Sequence, residues 1–318
     1  MFTVLAHQFF LAVPLFLLVF IGYGLVRWGR WPKSVSDALT RFVFSLALPS
    51  FLFRTMSDFS SLPPVDSRLL IAFFGSCFIV FVVGRLVAAW VFRLDGVASS
   101  VFALGGVFSN NVLLGLPLAK LLLGETSVPS VALVLVFNAL ILWTLVTVSV
   151  EWARQSSFSL TGFRLMAKNV LTNPIVASIL AGTVFGLTGL PLPTLIDVPL
   201  SMIAQAAAPM ALIVLGMGLA EYDVRQGWQQ SLAICALKLA VQPLVVWGLA
   251  WLLGLPTMET RVVVLLASCS VGINVYLMAR QFQAMQAPVA TSLVLSTLLA
   301  AFTTPLILTL LGVGFQQL

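Results

Sequence analysis

Ten apolar runs divide this chain. They fall at 7–26, 36–55, 68–91, 98–123, 128–150, 172–189, 197–220, 228–254, 261–281 and 288–312. Runs of about 20 residues match α-helices crossing a hydrocarbon core about 30 Å thick. That core holds no water, so the backbone must satisfy its own hydrogen bonds as helices or as a closed barrel. Barrel strands need only about 10 residues, and these runs are too long for them. Composition agrees: the chain is 60% hydrophobic and 8% charged, where a soluble domain carries about 25% charged residues. A soluble enzyme, a disordered scaffold and a secreted disulfide domain are excluded. Cys77, Cys235 and Cys269 all lie inside apolar runs and are expected to be small buried hydrophobes. The N-terminus lacks a basic n-region and a small-residue cleavage site, so 7–26 is expected to be a spanning helix rather than a signal peptide.

Charge sets the expected orientation. The net charge of +6 does not point to nucleic acid, because the few basic residues sit at run ends. One side collects ten: Arg27, Arg30, Lys33, Arg41, Arg93, Arg154, Arg164, Lys168, Arg225 and Arg280. The other collects four: Arg54, Arg68, Lys120 and Arg261. The richer side is the cytoplasmic one, and an even number of spans then puts both termini outside. Trp28, Trp31, Trp90, Trp152 and Trp228 fall at the same inner ends, as an aromatic belt does. Arg85 is within snorkelling reach of the inner end. Asp37 and Arg41 are spaced to form a local pair.

Residues 151–171 form the longest interruption and divide the chain near its midpoint. They are expected to be a cytoplasmic linker with a short interfacial helix near Phe163–Val170. Residues on either side recur in order. Pro14 and Pro174, Gly22 and Gly182, and Pro49 and Pro209 are each 160 apart. Asn110 and Asn274 are 164 apart, and Pro129 and Pro288 are 159 apart. The expectation is two five-helix repeats, 1–150 and 172–318. Five spans per half is odd, so the second half is inverted in the membrane. Inverted repeats are an architecture of secondary transporters, with the substrate site near the midplane.

Two runs carry polar residues at mid-depth. The fourth reads Gly105-Gly106-Val107-Phe108-Ser109-Asn110-Asn111, then Gly115-Leu116-Pro117. Adjacent asparagines between glycines disfavour a continuous helix in hydrocarbon, and Pro117 removes a backbone donor. Asn110 lies roughly 18 Å into its run at about 1.5 Å per residue, near the middle of the core. The ninth run offers Ser268-Cys269-Ser270-Val271-Gly272-Ile273-Asn274-Val275-Tyr276. If both helices break there and cross, two half-helix N-termini meet. Their unpaired N–H groups and partial positive charge suit an anion. A kinked helix, with polar side chains bonded to neighbours, is the alternative for each run taken alone.

The set of these features resembles the auxin efflux carrier family in its bacterial branch, over nearly the whole chain. The set comprises the asparagine break followed by Gly115-Leu116-Pro117, Leu48-Pro49-Ser50-Phe51-Leu52-Phe53, Asn173-Pro174, Lys238 with Gln242-Pro243, and Asn274-Val275-Tyr276-Leu277-Met278-Ala279-Arg280. The resemblance implies a ten-helix carrier of two inverted repeats, broken crossing fourth and ninth helices, and elevator-like motion. It points to Asn110, Asn111 and Asn274 as site residues, and, through the malonate-carrier members, to malonate. This chain departs from the pattern in having no proline in the ninth-run break. It also has a short linker where plant-type members have a long cytoplasmic loop.

The expected substrate-binding set is Ser109, Asn110, Asn111, Gly115, Ser270, Gly272, Asn274, Tyr276, Lys238 and Gln242. Gly105, Gly106, Pro117, Pro49 and Pro209 are the expected break or hinge residues. Lys238 lies about 15 Å deep, and no Asp or Glu lies at that depth to pair with it. It is either uncharged or faces a watery cavity and meets an anion. Asn138 and Trp143 either line that cavity or face neighbours and lipid. His7 is the only histidine, and no metal cluster, nucleotide glycine motif or deep carboxylate pair is present. No enzyme activity and no cofactor are expected; H+ or Na+ remains open as coupling ion. The expected function is secondary transport of a small organic anion in a bacterial inner membrane, a dicarboxylate such as malonate foremost. The expected partners are that anion and the bilayer, with a homodimer as oligomeric state. Two alternatives stand: a carrier or exporter of auxin-like or other monocarboxylic weak acids, and a non-transporting membrane sensor or accessory subunit.

Overall fold

The computed structural model describes residues 2–58, 64–154, 172–222 and 227–312. Among them every regular element is helical. In chain order they are α1 (Phe2–Arg27), α2 (Lys33–Ser57), α3 (Arg68–Trp90), α4 (Gly96–Gly105), α5 (Asn111–Leu123) and α6 (Val128–Arg154). After the linker come α7 (Pro174–Gly186), α8 (Thr194–Leu219), α9 (Trp228–Leu252), α10 (Thr257–Ser268), α11 (Ile273–Gln281) and α12 (Gln286–Leu310). Six of these, α2, α3, α6, α8, α9 and α12, are long and apolar enough to cross a membrane. The run predicted at 98–123 is divided into α4 and α5, and that at 261–281 into α10 and α11. The expected interfacial helix near Phe163–Val170 lies outside the described residues.

Prolines shape three of the helices in one way. Turns of π-helix occupy Val43–Ala47, Asn111–Gly115 and Leu237–Val241. Each ends two residues before a proline: Pro49, Pro117 and Pro243. Proline has no N–H, and its ring crowds the carbonyl four residues back. The residue before each proline instead donates five residues back: Leu48 to Val43, Leu116 to Asn111, Gln242 to Leu237. The helix widens locally rather than breaking. Pro209 sits inside α8 with no such widening.

Packing relies on small residues, as expected where lipid removes the hydrophobic drive between helices. α1 packs along α8, and the second half of α2 along α7. A methyl group at Gly22 would overlap the Ile213 carbonyl, and one at Gly216 the Val19 carbonyl. One at Gly182 would overlap the Phe53 carbonyl. Gly216→Ala is therefore expected to lower stability by about 1–3 kcal/mol, as overpacking does. Gly248→Ala meets nothing within 4 Å and should be neutral or slightly stabilising. Thermal unfolding of both variants in detergent checks this; equal midpoints would contradict the α1–α8 contact.

The ends of the molecule sort the charges. Lys33 at the start of α2 pairs with Glu221 beyond α8, and the Arg154 guanidinium lies 5.7 Å from the Phe282 ring centroid. At the other end Arg54 pairs with Asp197, and Arg68 donates to the Leu253 carbonyl. Trp28, Trp31, Trp90, Trp152 and Trp228 are all exposed, which the expected aromatic belt requires. One local expectation changes. Asp37 pairs with Lys33 at 3.7 Å, one turn back, rather than with Arg41. Arg85 donates to Ser100 and Ser149 between α4 and α6, beside Gly96 at the start of α4.

Candidate functional site

The two helix interruptions meet. α4 stops at Gly105 and α5 starts at Asn111; α10 stops at Ser268 and α11 starts at Ile273. Between them the backbone is extended enough to pair as strands do, with an antiparallel bridge of Ser109 and Val271. Asn110 N donates to Ser270 O at 2.9 Å, and Gly272 N to Phe108 O at 2.7 Å. The glycines make the approach possible. A methyl at Gly105 would meet Ile234, and one at Gly106 would meet Leu237, so α9 presses directly on the first break. A methyl at Gly272 would meet the Phe108 ring and the Ser109 backbone.

The chemistry at this meeting point is polar and buried. Ser109, Asn110, Asn111 and Ser270 are each 5% exposed or less. Ser109 Oγ, Asn110 Nδ2, Asn111 Oδ1 and Ser270 Oγ have no hydrogen-bond partner. Each such orphan costs about 1–3 kcal/mol, and native proteins keep few of them. The set offers both donors and acceptors: an amide N–H, a carbonyl oxygen and two hydroxyls. α5 and α11 both begin here, and neither has a side-chain cap. Two uncapped helix starts add partial positive charge. Asn274 is half-buried in the first turn of α11.

Other predicted residues lie further off. Lys238 is fully buried in α9 and donates to the Ala267 carbonyl, in the last turn of α10. Gln242, one turn on, donates to the Val107 carbonyl at 3.0 Å, just past α4. Both therefore hold carbonyls left unpaired where a helix stops, a role suited to donors at a C-terminus. They sit behind the crossing, on its backbone rather than on its asparagine side chains. Gly115 instead adjoins the crossing: a methyl there would meet Leu266, Cys269 and the unpartnered Asn111 Oδ1. Tyr276 stacks edge-on with Tyr222, ring centroids 4.7 Å apart. Pro117 lines a small cavity beside the crossing, together with Leu48 and Ala208, the neighbours of Pro49 and Pro209.

Two contributors are not singled out by the sequence as site residues. Ser296 Oγ in α12 accepts from Val271 N at 2.9 Å, and Thr304 Oγ1 donates to Ser268 O at 3.2 Å. The hydroxyls recurring along the last run were the available signal. Asn138 is buried, with its carbonyl oxygen 3.5 Å from Asn111 Nδ2. Trp143, its companion in α6, keeps an unpartnered indole N–H.

Residues 8–308 match the family model described as "Membrane transport protein". The chain belongs to this family, that of the auxin efflux carriers. Members are transporters rather than enzymes, and with its several apolar helices the chain is a multi-pass membrane protein. The resemblance drawn from the asparagine break, Lys238 and the ninth-run motif is borne out. A protein of Rhizobium meliloti (strain 1021) named "Putative malonate transporter" is 27% identical over 311 residues, 96% of each chain. "Probable auxin efflux carrier component 5a" of Oryza sativa subsp. japonica is 32% identical over 146 residues, covering 44% of this chain and 39% of that one. An "Uncharacterized transporter" of Methanothermobacter thermautotrophicus is 25% identical over 292 residues, 91% of this chain and 93% of its own.

Proposed function

We propose that this family member is a secondary carrier for a small organic anion, a short dicarboxylate such as malonate foremost. The anion would bind where the α4–α5 and α10–α11 breaks meet, and an elevator-like motion would expose that point to either side. One observation carries the reading: four partnerless buried polar atoms and two uncapped helix starts converge on the paired breaks. The amide N–H and the two hydroxyls can donate to an anion, and no carboxylate is among the residues that form the point. The name of the Rhizobium meliloti relative, aligned end to end with this chain, supports malonate as first candidate.

The proposed architecture is ten spans in two inverted repeats, 1–150 and 172–318. Its support is a reciprocal contact. Gly22 in α1 meets Ile213 in α8, and Gly182 in α7 meets Phe53 in α2. Gly22 and Gly182 are 160 apart, and so are Phe53 and Ile213. A two-fold relation between the halves generates such a pair from one contact. The proposed setting is a bacterial inner membrane with both termini outside, from the ten-to-four basic bias and the exposed tryptophans.

Uptake of labelled malonate into proteoliposomes holding only this protein tests the reading. The comparison is an imposed proton gradient, a sodium gradient and neither. Accumulation under one gradient is the expected result and names the coupling ion. Exchange without accumulation points to facilitated flux, and no movement of malonate removes it as substrate.

A further inference from the structure

One charged cavity takes no part in the reading above. It lies at the Arg54 end of the molecule and measures about 550 Å³, within the roughly 300–1,000 Å³ of small-molecule sites. α2 contributes Phe51 and Arg54, α5 and the turn after it Lys120 and Glu125, and α8 Asp197 and Gln205. Arg54 Nε donates to Asp197 Oδ1 at 2.6 Å, and Arg54 Nη2 to Oδ2 at 3.3 Å. Lys120 Nζ lies 3.0 Å from Glu125 Oε1 and 4.3 Å from the Phe51 ring centroid. Phe51 and Arg54 are three apart on one helix and so share a face. Two cations therefore stand over the same cavity, each covered by a protein carboxylate. Asp58 adds a third carboxylate to the lining, so a dianion enters only by displacing some of them.

A second cavity adjoins it. Phe51, Lys120, Ala204 and Gln205 also wall the smaller cavity of about 170 Å³, whose far side is Leu116 and Pro117. Leu116 donates its N–H to the Asn111 carbonyl across the π-turn, so it stands about one turn along α5 from Asn111. The contact of Lys120 with Phe51 thus stands between the outer cavity and the crossing.

We propose that the outer cavity is an entry site for a short dicarboxylate, where Arg54 and Lys120 take its two carboxylates in exchange for Asp197 and Glu125. The proposal rests on the organic-anion carrier reading. The two-point contact of Asp197 with Arg54 is the mode in which a guanidinium holds any carboxylate. The paired side chains are 43% and 32% exposed in one pair, 35% and 59% in the other. Ion pairs at that exposure contribute little to stability, so exchanging them disturbs the fold little. A monoanion can satisfy one cation and a dicarboxylate both, which gives the site a preference by charge number. Lys120 belongs to the half-helix that starts at Asn111, so an anion on Lys120 is already on the element that forms the crossing.

Initial rates of malonate uptake in proteoliposomes test this with Arg54→Gln, Lys120→Gln, Asp197→Asn and Glu125→Gln in the full chain. The two basic variants should raise KM by about tenfold, as losing a hydrogen bond to a charged group does, with little change in Vmax. Freeing a cation should have the opposite sign: Asp197→Asn or Glu125→Gln should lower KM, by about threefold for a competitor of this exposure. A misfolded variant cannot gain affinity, so the opposite signs separate the proposal from damage. If the parent protein does not move malonate, malonate falls as substrate, and the entry site for it with it, before any comparison. If it does, and the basic variants leave KM unchanged or neither carboxylate variant lowers it, the entry site alone is overturned.

Discussion

Asn110→Ala and Asn274→Ala are each expected to cut malonate uptake by about 10- to 100-fold, the loss of one hydrogen bond to a charged ligand. The same change at Asn110 should leave the unliganded protein as stable as its parent or more so. Asn110 Nδ2 is buried without a partner, and removing an unsatisfied buried donor relieves a cost rather than adding one. A residue kept for packing shows the opposite: stability falls first, and uptake falls with it. Uptake in proteoliposomes and thermal unfolding of the same preparations therefore give two readouts that move apart. Normal uptake by both variants would remove the crossing as the binding point. Lost uptake together with a large loss of stability would make Asn110 a structural residue.

The sequence revealed the breaks more readily than their surroundings. Asn110 and Asn111 between glycines at mid-membrane have few structural alternatives, and the interruption appears where they stand. The second break has no proline, yet it forms, because the work is shared. Gly272 admits the first break's backbone, Ser296 takes the Val271 N–H, and Thr304 reaches the Ser268 carbonyl. Those hydroxyls lie 25 and 36 residues away in sequence, so local pattern cannot assign them. Lys238 marks a similar limit. Depth along a run gives burial, which the structure bears out. It does not give the direction of a long side chain, and Lys238 points to a carbonyl 29 residues further on. In the sequence Arg54 and Lys120 read only as topology signals. Their shared cavity depends on α2, α5 and α8 meeting, which no single run contains.

Gly272→Ala is expected to reduce uptake by at least about tenfold and stability by about 1–3 kcal/mol, the range for overpacking a fitted site. Conformation is not the obstacle. Gly272 has φ −78° and ψ 143°, which alanine adopts freely. Space is the obstacle: a Cβ there would stand 2.9 Å from Phe108 Cδ1 and 3.0 Å from Ser109 O. The ring can turn, but Ser109 O is backbone within the bridge itself, and moving it stretches the bonds Asn110 N to Ser270 O and Gly272 N to Phe108 O. Those two bonds hold the breaks in register, so Ser109, Asn110 and Ser270 would shift relative to one another. A misplacement of about 1 Å in a polar site is enough to cost binding. Gly218→Ala is the matched control, because its Cβ would meet only the end of Ile273 at 3.9 Å, and it should transport as the parent does. Parent-like uptake by Gly272→Ala would mean that the bridge is incidental and that the two breaks act separately.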